Sequence, residues 1–280
     1  MCITLAPSKM SKTIVSCTET IHPETGRLIH VAGYQNKATS LAGPNAMLLP
    51  FPSRVAMGPG NVLDTTQTKR LLNDYATAVQ YDGSRGMTKG FRSRSMSFDS
   101  IQVFEAGSFH VVLANNAADI PSAIRFVPAN KRPKVNQALF DKYSELYPDA
   151  DWQFALCCWD GSVDAEPMLW WYEPKDSSHL FFPALDAHDG LPPKLGARVQ
   201  VDHTLVVGST INGMCSPIPV MFRDTIPETL KPYVARHVAG TIIGDTYLQN
   251  GDWRFPVKEF GDFDWLNSRE PFERVSPLSA

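Results

Sequence analysis

The stretch YQNKATSLAGPNAMLLPFPS, Tyr34–Ser53, decides how the rest of the chain folds. Its polar first half ends at Gly43-Pro44-Asn45, a combination that is typical of a turn. The apolar run Ala46–Leu49 follows and leads into Pro50-Phe51-Pro52. A short apolar run between turn signals is typical of a buried strand, and proline ends a strand because it has no N–H for the ladder. We therefore expect a short, buried strand at this point.

The composition is that of an ordinary folded protein. The chain has 280 residues, of which 43% are apolar and 20% charged. A net charge of −3 gives no general reason to expect nucleic acid or an acidic membrane as partner. No run approaches the roughly 20 apolar residues of a membrane span. Residues 1–12 lack the charged start and apolar core of a secretory signal, so we expect a cytoplasmic protein.

Hydrophobic patterning predicts an α+β fold with mainly antiparallel sheets and a few short helices. Apolar spacings of three and four predict helices over Thr68–Tyr81 and Asn136–Leu146, and Asp119 with Pro121 marks another helix start. A further helix is expected from Thr225 to about residue 240. Most other segments are rich in β-branched and aromatic residues, as strands are. The expected core contains Leu48, Leu49, Val112, Leu113, Phe154, Leu156 and Trp170.

No linker divides the chain, so we expect one globular domain over residues 1–280. Residues 1–223 would form the main body, and residues 224–280 would wrap around it. This last segment is too aromatic for a free tail. Its aromatic residues are Trp253, Phe255, Phe260, Phe263, Trp265 and Phe272.

The order of these features resembles a bacterial family, a domain of unknown function that is usually secreted. In that family an early cysteine opens the first strand, and a turn then leads to an apolar strand ending in Pro-x-Pro. Cys2, the turn at Gly43-Pro44 and the run Met47–Pro52 stand here in that order. The downstream segments Phe109–Ala114 and Trp152–Leu156 are also similar, and the likeness covers about residues 1–210. The resemblance implies a fold but no activity.

Cys2 is the sharpest candidate for chemistry. Removal of Met1 would leave a thiol next to its own α-amine, which could act as the base in an amidohydrolase of the N-terminal-nucleophile type. Such a site needs an oxyanion donor, and Asn115, Asn116 and Arg27 lie near predicted strand ends. The structural alternative, in which Cys2 merely opens a strand, is the more frequent role of such a residue.

Cofactor and metal motifs are missing. The chain has no P-loop, GxGxxG or HExxH pattern, so no cofactor is expected. Asp186–Asp189 and Asp202-His203, with His179, combine carboxylates and imidazoles, but their spacing matches no metal motif and a turn explains the first group more simply. Cys157-Cys158 are expected to be buried on opposite faces of one strand. We therefore expect no metal site.

A basic loop is expected over residues 83–100, where helical and strand periodicity both disappear. Arg85, Lys89, Arg92 and Arg94 give it four positive charges. Four charges are few for binding a nucleic acid, so no nucleic-acid partner is expected and a solvated loop is the preferred interpretation.

The sequence is compatible with two functions. The preferred hypothesis is a non-catalytic binding or assembly protein, with a protein partner or a homo-oligomer formed through an aromatic-rich surface. The alternative is the cysteine amidohydrolase with Cys2 as nucleophile.

Overall fold

The computed structural model describes residues 3–80, 95–97, 101–211, 218–261 and 270–279. Its helices are α1 Leu71–Gln80, α2 Ile120–Ala123 and α3 Gln137–Leu146. Its strands are, in chain order, β1 Ile3–Thr4, β2 Ser8–Ile21, β3 Leu28–Ser40, β4 Asn45–Phe51, β5 Val62–Leu63, β6 Ser95–Ser97, β7 Ile101–Ala106, β8 Phe109–Ala114, β9 Gln153–Trp159, β10 Ser162–Asp164, β11 Met168–Tyr172, β12 His179–Phe182, β13 Arg198–Val201, β14 His203–Ser209, β15 Ile218–Pro219, β16 His237–Ile242, β17 Thr246–Gln249, β18 Asp252–Pro256 and β19 Glu273–Val275.

Two large sheets dominate the structure. One has six strands in the order β1-β4-β9-β8-β7-β6, and the other has eight, ordered β15-β16-β14-β2-β3-β11-β5 with β10 also paired to β3. Among the described strands every pairing is antiparallel except that of β14 with β2. The predicted α+β class with mainly antiparallel sheets is confirmed.

Strand β4 lies inside the six-stranded sheet, between β1 and β9. All seven of its residues are buried, as the apolar run predicted. The strand continues through Pro50, which pairs with Phe154 of β9. Strand β1 reaches only Leu48 and Met47, so Pro50 lies where β4 has a neighbour on one side alone. A proline is compatible with a sheet at such a position because its missing N–H breaks no ladder bond.

The layers follow from the alternation of side chains along the strands. Val15 and Trp170 of the eight-stranded sheet share one apolar cluster with Leu49 and Leu113 of the six-stranded sheet, so the two sheets pack face to face. Helices α2 and α3 cover the outer face of the six-stranded sheet. Helix α1 covers the outer face of the other sheet. All seven residues predicted for the core are at most 2% exposed.

Adjacent cysteines on β9 illustrate the same alternation. Cys157 points into the cluster between the sheets and Cys158 into the cluster beneath the helices. Both are fully buried, as the sequence predicted. Burial raises the pKa of the Cys158 thiol and keeps it protonated.

One helix prediction is wrong. The segment after Thr225 contains only a short 3-10 turn at Lys231–Tyr233 and then strand β16, His237–Ile242. Pro232 lies in that turn, where it removes a donor that a longer helix would need. Val238 and Ala239 of β16 are buried, so this strand joins the eight-stranded sheet.

Candidate functional site

A cleft of about 480 Å³ opens beside the eight-stranded sheet. Strands β2, β3 and β10 supply three of its sides, and the start of α1 supplies another. We call it the cationic cleft because its charged lining residues are five bases and two acids. They are Lys12, Lys37, Lys69, Arg70 and Arg223, with Asp164 and Glu166.

Lys12 reaches the cleft from an irregular point of β2. The pairing of β2 with β3 shifts register between Ser11 and Ile14. Lys12 has a φ of +54°, which makes it the one non-glycine in the described ranges with a positive φ. Such a conformation is strained for lysine, and strain of this kind is concentrated at functional positions.

Two of the five bases are paired with acids. Lys69 forms a close ion pair with Glu166. Arg223 pairs with Asp74, whose side chain is 2% exposed. Burial raises the pKa of the Asp74 carboxyl, and the hydrogen bonds from Arg223 oppose that rise. These pairs hold the walls of the cleft together.

Arg70 is different, because its side chain is buried without a partner. The residue is 8% exposed, and its Nε makes no hydrogen bond. Its backbone N–H donates to Oδ2 of Asp224 at 3.1 Å, but its guanidinium forms no ion pair with any residue that the structure describes. A buried N–H donor with no acceptor, such as this Nε, is costly because it has lost its hydrogen bond to water without replacing it.

Lys12 and Lys37 also keep most of their charge available. Lys12 makes no side-chain ion pair within the described ranges of the chain. Lys37 lies 4.0 Å from Asp164, and both side chains are more than half exposed. A pair of that kind contributes little and is screened by salt. Arg70 and Lys12 therefore have no ion pair among the described residues, and Lys37 has only a weak one.

The amide side chains add directional groups to the cleft. Asn36 is 2% exposed and donates from Nδ2 to the Tyr34 hydroxyl at 3.3 Å. Its Oδ1 is buried and accepts no hydrogen bond from the described residues. Gln35 and Asn73 are joined at 3.3 Å, and Gln35 also donates to the Ala165 carbonyl. The Asn36 amide also lies 3.9 Å from Met47 Sδ and faces the core between the sheets, so Gln35 and Asn73 are the amides that face the cleft.

The candidate oxyanion donors lie in different places and have other partners. Asn116 caps the turn after β8, since its Oδ1 accepts from the Ala118 N–H and the Ser144 hydroxyl, each at 2.9 Å. Asn115 beside it is exposed. Arg27, in the turn between β2 and β3, donates to Glu173 at 2.9 Å. No contact joins Arg27 to either asparagine, and Cys2 lies outside the described residues.

The aromatic residues of the C-terminal segment are core rather than surface where the structure describes them. Trp253, Phe255, Phe260 and Phe272 are at most 4% exposed and belong to the cluster between the sheets. Phe263 and Trp265 lie outside the described residues. The four buried rings cannot offer a docking surface, so a partner would have to use other side chains.

The histidines flagged by the sequence have local roles. Asp189 Oδ1 accepts from the Leu191 N–H at 3.0 Å, which is the expected turn. His188 and Asp186 approach to 3.0 Å, and His179 pairs with Asp176. Within the described part of the chain, no group of three such side chains is placed to hold a metal ion.

The predicted basic loop cannot be compared with the structure. Arg85, Lys89, Arg92 and Arg94 all lie outside the described residues. No helix in the described ranges is long and apolar enough to cross a membrane.

The cationic cleft was missed at the level of sequence because its residues are far apart in the chain. They range from Lys12 to Arg223 and come from several separate segments of the chain. The available signals were the polar group Gln35-Asn36-Lys37 inside an otherwise apolar strand and the pair Lys69-Arg70 before a helix. Neither signal identifies a binding site by itself.

Comparison with known proteins gives little guidance. No family model matches the chain, and no curated protein is similar to it, so the resemblance to the bacterial family stays a hypothesis. The chain is similar to a solved structure described as the crystal structure of baculovirus P35, with 12% identity, 92% of each chain covered and a TM-score of 0.45. At that level the likeness is distant and assigns no function to the chain.

Proposed function

We propose that the chain is a non-catalytic binding protein whose cationic cleft receives an acidic segment of a partner protein. The observation that carries the proposal is Arg70, which lines the cleft with a buried Nε that has no acceptor and a guanidinium that forms no ion pair with the described residues. A ligand carboxylate or phosphate would supply the missing acceptor. Charge-assisted hydrogen bonds to such groups are among the strongest available to a side chain.

The chemistry of the lining supports binding rather than catalysis. Among its described residues the cleft has no histidine, cysteine or serine, and the hydroxyl of Thr77 donates to the Asn73 carbonyl at 2.7 Å. Lys69 and Glu166 are already paired with each other. The remaining cationic side chains of the cleft can donate hydrogen bonds to a bound anion.

The same lining favours a segment of a larger partner over a small molecule. Small-molecule sites are mostly apolar and enclose their ligand. Here Ile14 and Ala165 are the apolar residues of the described lining, and the rest are charged or polar. An acidic protein segment needs no apolar enclosure, because electrostatic complementarity guides and orients it. A cytoplasmic location, expected from the sequence, is part of this proposal.

The test is binding of a fluorescein-labelled peptide of twelve glutamates, followed by anisotropy, with a peptide of twelve glutamines as the neutral comparison. We expect the glutamate peptide to bind and its affinity to fall as salt rises. Arg70→Met should weaken binding by about tenfold, since one charge-assisted hydrogen bond is lost. Arg125→Met is the control, because Arg125 is exposed and is not part of the cleft lining. Equal binding of the two peptides, or no effect of Arg70→Met, would contradict the proposal.

A second copy of the chain is one partner that this proposal allows. Light scattering after size-exclusion chromatography would show it as a dimer that Arg70→Met dissociates. A monomer would direct the search to a different acidic protein.

A further inference from the structure

The connection between α2 and α3 is strongly basic. Residues 124–135, IRFVPANKRPKV, contain four cations and no acid, and no acid stands between Asp119 and Asp141 in the sequence. We call residues 124–135 the basic segment. Its cations are Arg125, Lys131, Arg132 and Lys134.

These four cations are not neutralised by the described part of the chain. None of them forms an ion pair with a described residue. Lys131 donates to the Ser108 carbonyl at 3.3 Å, and Nε of Arg132 donates to the Val127 carbonyl at 3.0 Å. Main-chain carbonyls are neutral acceptors, so the positive charge of the segment remains available to a partner.

Buried residues hold the basic segment in place. Ile124 and Val127 are at most 2% exposed and belong to the apolar cluster beneath the helices, and Pro133 is also buried. The Val127 N–H donates to the Ile124 carbonyl at 3.0 Å, and the Lys131 N–H donates to the Pro128 carbonyl at 2.9 Å. A partner would therefore meet a segment that is already ordered, which lowers the entropic cost of binding.

The basic segment also exposes apolar side chains. Phe126 is 52% exposed and Val135 is 47% exposed. The Arg125 guanidinium lies over the Phe126 ring, 4.8 Å from its centroid, so charge and apolar surface are in contact. Single exposed apolar residues are common on proteins, but here two of them belong to one basic segment. A partner that offers negative charge and an apolar phase together would satisfy both kinds of side chain.

We propose that the basic segment binds the surface of an anionic lipid bilayer. The headgroups supply negative charge to the four cations, and the boundary of the acyl chains receives Phe126 and Val135. Clusters of roughly four to eight basic residues are attracted to anionic leaflets in this way. No residue of the basic segment lines the cationic cleft, so this surface is separate and goes beyond the proposed function.

A nucleic acid is the less favourable partner for the same surface. Phosphates would attract the cations, but bases stack on flat rings, and Phe126 is the one aromatic residue of the basic segment. Val135 would gain nothing from stacking. The boundary region of a bilayer takes up aromatic and aliphatic side chains alike.

The experiment is flotation of the full chain with lipid vesicles. One set of vesicles is phosphatidylcholine with about 30% phosphatidylserine, and the other is phosphatidylcholine alone. We expect binding to the phosphatidylserine vesicles to be at least tenfold tighter. Raising the salt concentration should weaken it, because salt screens the attraction between exposed charges.

A double variant tests the charges. Arg125→Gln with Lys134→Gln should weaken binding about 25-fold, at about fivefold for each charge removed near the membrane. Lys9→Gln with Arg236→Gln is the matched control, because both residues are exposed and the net charge changes equally. This control should bind as the original protein does.

Two substitutions at Phe126 test the apolar contact. Phe126→Ser should weaken binding about fivefold, since the exposed half of the ring no longer leaves water. Leu41→Ser is the control, because Leu41 is 59% exposed and lies outside the basic segment. Phe126→Trp should add emission that shifts to shorter wavelength on the vesicles and is quenched by brominated phosphatidylcholine.

The outcomes decide between the partners. Equal binding to both vesicle types, an unaffected double variant, or Phe126→Trp emission that brominated lipid leaves unchanged would overturn the inference. Tighter binding to a twenty-residue oligothymidylate than to the vesicles would overturn it in favour of a nucleic acid. Arg70→Met should float as the original protein does. Loss of flotation in that variant would place the contact in the cleft instead, whereas failure of the bilayer inference leaves the cleft proposal unchanged.

Discussion

The backbone N–H of Arg70 donates to Oδ2 of Asp224 at 3.1 Å, although Asp224 forms no ion pair with the Arg70 side chain in the described structure. The carboxylate therefore anchors the main chain at the start of α1 and leaves the guanidinium to the cleft. This arrangement leads to the first prediction.

Arg70→Met should not destabilise the protein, and we expect it to raise the free energy of unfolding by about 1 kcal/mol. Methionine has a similar length and leaves no buried donor unsatisfied, and such a donor costs roughly 1–3 kcal/mol. Urea denaturation at neutral pH measures the change. A loss of 2 kcal/mol or more would mean that the guanidinium already has a stabilising partner in the folded chain.

Lys12→Gly should also stabilise the fold, while weakening binding of the glutamate peptide. Glycine accepts the φ of +54° without the left-handed penalty of roughly 1–2 kcal/mol that a side chain carries. Lys12→Ala is the matched control, since it removes the charge and keeps the strain. Equal free energies of unfolding for the two variants would show that the backbone of Lys12 is not strained.

Burial of histidine predicts acid sensitivity. His30 is fully buried, and burial lowers its pKa to about 3. Its unfolded value is near 6.5, so between these pH values the unfolded chain binds more protons. The contribution of neutral His30 to the free energy of unfolding is therefore fully present above pH 6.5. It is lost as the pH falls towards 3, by up to about 1.4 kcal/mol per pH unit.

His30→Leu should remove this slope, because leucine does not titrate and neither ring nitrogen of His30 has a hydrogen bond to lose. Urea denaturation at pH 7 and pH 4.5 on both proteins gives the comparison. Burial raises the pKa values of Glu19, Asp74 and Asp252, and this changes the free energy of unfolding with pH in the opposite direction. These three groups are present in both the original protein and the His30→Leu variant, so their effect cancels in the comparison. An unchanged difference between the two pH values would refute the assignment.

Cysteine labelling tests the amidohydrolase hypothesis. Cys17, Cys157 and Cys158 are buried, and burial raises the pKa of Cys17 to about 12. Iodoacetamide at pH 7 should therefore modify at most the other two cysteines of the five, Cys2 and Cys215. Intact mass shows whether Met1 is removed, and Cys2→Ser identifies the labelled site.

A binding protein should show Cys2 reacting no faster than a free thiol. Retention of Met1 would exclude the self-activated mechanism, since the amine would belong to the wrong residue. Rapid labelling of processed Cys2 well below pH 8 would instead support the amidohydrolase, because an activated thiol has a depressed pKa.

Much of the fold could be predicted from local pattern. Ala46–Leu49 and the cysteine pair on β9 were predicted because side chains alternate along a strand and leave a visible apolar signature. The predicted ends of helices α1 and α3 lie within three residues of the observed ends. Their apolar residues recur at helical spacing, which is also visible in the sequence. The segment after Thr225 was mistaken because tertiary pairing of β16 with β14 overrides its weak local preference.

The cleft could not be predicted in that way. Lys12 and Arg70 meet there only because a register shift in β2 and the packing of α1 bring them to one place. The unpaired state of Arg70 depends on which acids lie near it in space, and composition does not contain that information. The many aromatic residues after residue 252 suggested a docking surface. An aromatic-rich core strand and an aromatic-rich docking surface look the same in a single sequence, so the two could not be told apart.

The most direct test of the central claim is to locate a bound acidic segment on the chain. A glutamate-rich peptide carrying a photoreactive benzoyl-phenylalanine is crosslinked to the protein, and the modified fragments are identified by mass spectrometry. We predict crosslinks to fragments containing Lys12, residues 35–37 or residues 69–77, all reduced in Arg70→Met. Crosslinks confined to other surfaces, and unchanged in Arg70→Met, would contradict the account.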